Sequence, residues 1–140
     1  MVVVMVIAVL IAIAIPSFLG FRAAAQDRAA QATLSNAEKA AHLVALQEGI
    51  FPGRSTLLPL LSTIEPTIEW IDHQDSSEGP RHVSIDEHSS GKVLALAALS
   101  DSGSCFYLRV TTDAPTVKKV VDAAATCQSH DFQTGLGTGW

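Results

Sequence analysis

The stretch MVVVMVIAVLIAIAIP, residues 1–16, decides the fold of this chain, because it contains no polar side chain. No Asp, Glu, Lys or Arg occurs before Arg22, and a membrane-spanning helix needs about 20 predominantly apolar residues. A helix that is apolar on every side has to be buried, in lipid or against other helices. A secretory signal peptide would start with basic residues and end at a small-residue cleavage site. The stretch therefore predicts a retained membrane anchor.

The residues after Arg22 continue the helix. Residues 23–49 read AAAQDRAAQATLSNAEKAAHLVALQEG, and Ala, Gln, Glu, Lys, Arg and Leu are all good helix formers. Five apolar residues recur at helical spacing and form one stripe: Ala30, Leu34, Ala37, Ala41 and Val44. Gly49 is a typical stop signal. The pattern predicts one long helix over residues 1–49, with residues 1–21 as its apolar part and residues 50–140 as a globular head.

Two residues should weaken the first half of this helix. Pro16 removes a backbone donor and clashes with the preceding turn, and Gly20 has a low helix propensity. We therefore expect a helix break at Pro16 and Gly20, with helical hydrogen bonds disrupted between about Ala8 and Gly20.

The head combines loops, a short helix and strands. Ser55 is a candidate N-cap for a short helical turn that Pro59 and Pro66 limit, and TIEWI then reads as a brief strand. Three strands follow, RHVSIDEH, VLALAAL and CFYLRVTT, joined by hairpin turns, and VKKVV is a candidate fourth. The predicted fold class is α+β, with the long helix packed on a small antiparallel sheet of three to four strands.

The two cysteines, Cys105 and Cys127, both lie in the head. Paired cysteines in an exported domain usually form a disulfide, whereas free thiols are the alternative. A disulfide between them would attach the C-terminal segment to the predicted strand CFYLRVTT, which begins with Cys105.

Composition argues against several classes of function. The formal net charge is −5, with a pI near 5.4, whereas nucleic-acid binding needs an excess of Lys and Arg. Lys118 and Lys119 therefore indicate a solvated strand, and no direct nucleic-acid binding is expected. Ser102 and Ser104 stand in a turn without a nucleophile motif. The sequence predicts no enzyme, no catalytic residue and no cofactor.

The best candidate metal ligands are His82, Asp86 and His88. They stand at even spacing along one predicted strand, so their side chains share one face. A solvated outer face explains the same pattern, and we expect no metal site.

At the N-terminus, residues 1–37, MVVVMVIAVLIAIAIPSFLGFRAAAQDRAAQATLSNA, resemble the first helix of bacterial type IV pilins. The resemblance is ungapped from Met1 to Pro16 and extends to about residue 40. The segment from LALAALSDSGSCFYLRV to GTGW is similar to pilins of high-GC Gram-positive bacteria. Under this alignment Met1 stands two positions after the family's glutamate, so either residues precede Met1 or assembly proceeds without that carboxylate.

The resemblance implies a type IV pilin fold and a structural function. A prepilin peptidase and methylation would process the chain. It would sit in the cytoplasmic membrane as a single-pass helix with its N-terminus inside, and the inner-membrane assembly machinery would then polymerise it with copies of itself. The product would be an extracellular pilus used for adhesion, twitching motility or DNA uptake. The implied filament-core residues are Val2, Val3, Val4, Val6, Ile7, Val9, Leu10, Ile11, Ile13, Ile15, Pro16, Phe18, Leu19 and Phe21.

Two points stay open at this stage. In the C-terminal tail, protein rather than water is expected to surround Phe132, Leu136 and Trp140. At least one of these contacts is expected to cross a subunit boundary. The alternative is a tail that folds back on the sheet of its own chain. For function, the alternatives are a pseudopilin of a type II secretion system and a single-pass membrane-anchored binding module.

Overall fold

A computed structural model describes residues 2–132, including their side chains except at 13–19 and 132. The elements in chain order are α1 (Val2–Glu48), α2 (Arg54–Ile64), β1 (Glu69–Asp72), β2 (His82–Glu87), β3 (Val93–Leu99), β4 (Cys105–Thr111), β5 (Val117–Val121) and a 3-10 helix (Ser129–Phe132). The architecture is α+β, with a 47-residue first helix and a five-stranded mixed sheet.

The first helix is continuous, so the predicted break at Pro16 and Gly20 is wrong. Helical structure runs through both residues without interruption. A proline removes only one backbone donor, and the residues on both sides of Pro16 keep the helical conformation. At 1.5 Å per residue α1 is about 70 Å long.

The second helix is longer than the predicted helical turn. It begins at Arg54 after Gly53, so Ser55 lies inside the helix and is not its N-cap. Pro59 also lies inside the helix, where it removes a single backbone donor. Leu57 and Leu61 are fully buried, and their burial, worth about 1.5–3 kcal/mol each, holds α2 against the head.

The sheet has five strands in the order β1-β2-β3-β4-β5, which corrects the predicted three to four antiparallel strands. The four strands β2 to β5 form an antiparallel meander, but β1 pairs with β2 in parallel, Glu69 opposite His82. Parallel neighbours usually need a crossover of a dozen or more residues. Here residues 73–81 suffice, because an extended chain of that length reaches about 30 Å and β1 has only four residues.

The main core lies between α1 and one face of the sheet. The predicted apolar stripe of α1 is buried, confirming its packing on the head. It meets alternate side chains of the central strands, among them Ile85, Leu96 and Leu108. Leu94 to Ala98 are all buried, so β3 is covered on both faces, as its uninterrupted apolar sequence predicted.

The opposite face of the sheet is covered by the C-terminal segment. Ser84 and Asp86 are buried there, although the sequence indicated a solvated face. Ser84 Oγ and Ser129 Oγ are 3.0 Å apart, and the backbone N–H of Ser129 donates to Ser84 Oγ at 3.2 Å. A smaller apolar cluster on this face contains Ala97, Tyr107 and the two cysteines.

Burial against this second cluster raises the pKa of Tyr107 to about 12, and the negative charge of Asp131 adds to the effect. The tyrosinate is thus disfavoured in the folded state. A raised pKa contributes stability below the unfolded value near 10 that is lost as the pH rises towards 12.

We expect the free energy of unfolding of the chain to fall by about 2 kcal/mol between pH 10 and pH 12 because of Tyr107. Tyr107 is the single tyrosine in the sequence, so its ultraviolet absorbance reports its ionisation directly. Tyr107→Phe is the control, and it should remove most of this fall. An equal fall in the variant would assign the alkaline instability to other groups.

Candidate functional site

The first ten residues of α1 form an exposed apolar surface. Val2, Val3, Val4, Met5, Val6, Ile7, Val9, Leu10 and Ile11 are all between 49% and 76% exposed. Among the side chains that the structure describes, the first buried one in α1 is Ala30. Ala30 lies about 40 Å along the helix from Val2. We call residues Val2–Ile11 the apolar segment.

Nothing within the described chain covers the apolar segment. Its side chains are apolar at every helical position, so no rotation of the helix would turn a polar face to water. Apolar burial is favourable by roughly 25 cal/mol per Å², and contiguous exposed apolar surface of this kind marks a binding site for lipid or for other protein.

For some predicted site residues the structure describes the backbone but not the side chain. These residues are Ile13, Ile15, Pro16, Phe18 and Leu19. Their predicted contacts therefore stay predictions. Gly20 and Phe21 are exposed.

The predicted tail contacts also lie beyond what is described. The backbone of Phe132 ends the 3-10 helix, but its side chain, Leu136 and Trp140 are outside the described residues.

Among the residues that the structure describes, no helix combines the length and the apolar character that crossing a membrane requires.

The predicted disulfide is confirmed. Cys105 and Cys127 are bonded, with their Cα atoms 5.5 Å apart, and both are almost fully buried. The bond fixes the C-terminal segment to the start of β4. It also holds the loop between β1 and β2, because the Ser77 N–H donates to the Cys127 carbonyl and the Ser76 hydroxyl accepts from the Cys127 N–H, both at 2.9 Å.

The sequence did not indicate the polar cluster around Arg54. The Nε atom of Arg54 donates to Glu87 at 3.1 Å, while its two terminal nitrogens donate to Asp72 at 3.0 Å and to Asp86 at 3.2 Å. One arginine thus ties α2 to the ends of β1 and β2. Asp72 is too far from Asp86 and Glu87 in sequence to form a motif with them, and the parallel β1–β2 pairing brings the three together.

Two histidines complete this Arg54 cluster. His73 contacts Asp72 and Arg54, and His130 Nδ1 lies 3.2 Å from Asp86 Oδ2. The rings of His73 and His130 meet edge to face, with centroids 5.9 Å apart. The cluster therefore also anchors the 3-10 helix of the C-terminal segment.

The charges of the cluster shift two pKa values. Burial opposes the charged form of Arg54, but the carboxylates of Glu87 and Asp72 outweigh it, and the pKa of Arg54 is raised. Burial would likewise raise the pKa of Asp72, but hydrogen bonds from His73 and the Gln74 backbone, together with Arg54, lower it. A lowered carboxyl pKa contributes stability above about pH 4 that is lost as the pH falls further.

Arg54→Ala is expected to lower the free energy of unfolding by about 2 kcal/mol at neutral pH, because it removes the guanidinium that pairs with the buried Asp86 carboxylate and with Asp72 and Glu87. This figure lies below the cost of a fully buried pair because the Arg54 side chain is 26% exposed. Chemical denaturation of the full chain in detergent measures the change. Arg54→Lys keeps the charge but not the planar set of guanidinium donors. Its free energy of unfolding should therefore lie between those of the wild-type chain and Arg54→Ala. Equal stability of all three proteins would show that the cluster is not stabilising.

The candidate metal ligands do not converge. His82 Nε2 pairs with Glu69 at 3.1 Å, Asp86 faces Arg54, and His88 contacts Ser90. Across residues 2–132, no three His, Cys, Asp or Glu side chains are grouped so that they could hold a metal ion.

The remaining polar candidates lie in ordinary structural settings. Ser102 donates to Asp27 of α1, and Ser104 donates to Asp122 at 3.1 Å. Lys118 and Lys119 lie on the half-buried edge strand β5, where lysine discourages pairing with another sheet.

Comparisons with known protein families, with curated proteins and with solved structures found no match to this chain. What the chain does has to be inferred from its own residues.

Proposed function

We propose that the chain is a structural subunit that polymerises through its N-terminal helix into an extracellular filament of the type IV pilus kind. The observation that carries the proposal is the apolar segment, which is exposed on every side of a helix that continues into the head. Copies of the same helix, bundled side by side, would remove this surface from water.

Helix bundling suits the apolar segment for a physical reason. Its nine large side chains are Val, Ile, Leu and Met, which interlock between neighbouring helices without leaving a polar group unpaired. Before assembly, lipid would have to cover the same surface. We propose that the unassembled chain is held in the cytoplasmic membrane with its N-terminus inside. The assembly machinery and the prepilin peptidase would act at this stage.

The head supports the same proposal. It has a core between α1 and the sheet, and a buried disulfide that closes its C-terminal segment. The Arg54 cluster gives this segment a second attachment. A head built this way can withstand exposure outside the cell, where adhesion, twitching motility or DNA uptake would take place.

Electron microscopy of surface material sheared from cells that express the chain tests the proposal. We expect abundant thin filaments, and mass spectrometry should identify this chain as their main component. Cells that lack the chain are the control. Recovery of the chain only as a membrane-bound monomer would support an anchored binding module instead.

A further inference from the structure

A second group of exposed apolar side chains lies at the other end of α1. Leu43, Leu46 and Ile50 are 47%, 82% and 49% exposed. Within the described part of the chain, every other exposed large apolar side chain belongs to the apolar segment or is Phe21. Apart from the apolar segment and Phe21, the exposed large apolar side chains of the described chain thus lie within eight residues, at the point where α1 ends.

Two basic residues lie on the same side of α1 as the two leucines of this group. Arg28, Lys39, Leu43 and Leu46 follow one another at spacings of eleven, four and three residues, so they share one side of the helix. All four are exposed, and they face away from the buried stripe. We call these four residues the outer strip.

The outer strip carries two cations and no carboxylate, while the head carries the opposite charge. Residues 2–48 contain three basic and three acidic residues, so the whole net charge of −5 falls on residues 49–140. Several of these acids are exposed, among them Glu69, Asp75 and Glu78. The strip of one copy therefore complements the acidic head of another copy.

We propose that the outer strip is a second self-contact surface, which binds the acidic head of a neighbouring copy. This inference rests on the proposed function, because that function supplies the neighbouring copies. The contact is heterologous, joining two different surfaces of the same chain, and repeated contacts of this type generate a helical polymer.

The size of the strip favours a second copy over an unrelated protein. A stable independent complex buries roughly 800 Å² on each partner, and two leucines with two cations do not supply that area. In a polymer held together by the apolar segment, the same small contact forms at a high effective concentration. A contact that is weak between two isolated copies can therefore still be formed in the polymer.

A photo-cross-linking amino acid at position 46 of the full chain tests the inference. The matched control carries the same amino acid at position 114, which is an exposed alanine in the β4–β5 connection. After irradiation of intact cells, we expect position 46 to give severalfold more adduct of twice the chain mass than position 114. The second peptide in the adduct should come from residues 49–140 of another copy, and added salt should reduce its yield.

Adduct at position 46 with a different protein, with lipid alone, or at the level of the control would overturn the inference. If filaments are recovered but no second copy is trapped at position 46, the second contact is wrong and the filament proposal stands. If the adduct forms equally in a Val9→Lys chain that makes no filaments, the contact does not depend on the polymer, and the inference is overturned.

Discussion

Val9→Lys is expected to abolish filament formation while leaving the head folded. Val9 is 53% exposed in the single chain and lies within the apolar segment, which the proposed filament would bury among copies of itself. An unpaired charge in such a core costs several kcal/mol. The cost recurs in every subunit, so assembly should stop rather than weaken. Counting filaments by electron microscopy, normalised to the amount of chain in the cells, measures the effect.

Two controls separate the charge from other changes at this site. Val9→Leu keeps the apolar character and should assemble normally. Ala114→Lys adds the same charge on an exposed loop of the head and should also assemble. Normal filament numbers in the Val9→Lys chain would contradict burial of the apolar segment in a filament core.

Removal of the disulfide is expected to destabilise the head by about 3 kcal/mol. The bond joins residues 22 positions apart, and the loop-entropy model assigns roughly this value to a loop of that length. The Cys105→Ser, Cys127→Ser double variant avoids a leftover free thiol. Chemical denaturation of the full chain in detergent should show the loss, and the amount of pilus-like material should fall with it.

The structural consequences should extend beyond the C-terminal segment. Residues Ser76 and Ser77 hydrogen-bond to Cys127, so the loop between β1 and β2 should exchange its amide hydrogens faster in the double variant. Wild-type chain treated with reductant under denaturing conditions and refolded is the matched comparison. Unchanged stability and unchanged exchange would show that the Arg54 cluster alone holds this part of the head.

Much of the fold follows from local patterns in the sequence. The stripe of α1 appears at helical spacing, β3 is a continuous apolar run, and the two cysteines are the only partners available to each other. The first two features are set by residues close in sequence, and the third is set by the number of cysteines, which is two. The structure accordingly agrees with the predicted long helix, the bounds of β3 and the disulfide.

The features that the sequence did not predict depend on long-range contacts. The parallel placement of β1 depends on how residues 73–81 return across the head, and no local pattern encodes that path. The Arg54 cluster follows from this placement, because it joins Asp72 to Asp86 and Glu87. The burial of Ser84 on the second face likewise depends on the C-terminal segment that covers it.

The continuity of α1 shows the limit of a local rule. Pro16 and Gly20 are unfavourable residues for a helix, and the Val- and Ile-rich run before them is not strongly helix-forming either, but the helix continues through both. The penalties of single residues therefore did not predict where this helix ends.

Helical reconstruction of the sheared filaments by cryo-electron microscopy tests most directly whether the apolar segment forms a filament core. The expected map has bundled helices on the filament axis, with side chains of Val2–Ile11 in van der Waals contact with other copies and the disulfide-bonded heads outside. A filament in which this segment lies on the outer surface, or a preparation with no filament of this chain, would contradict the proposed function.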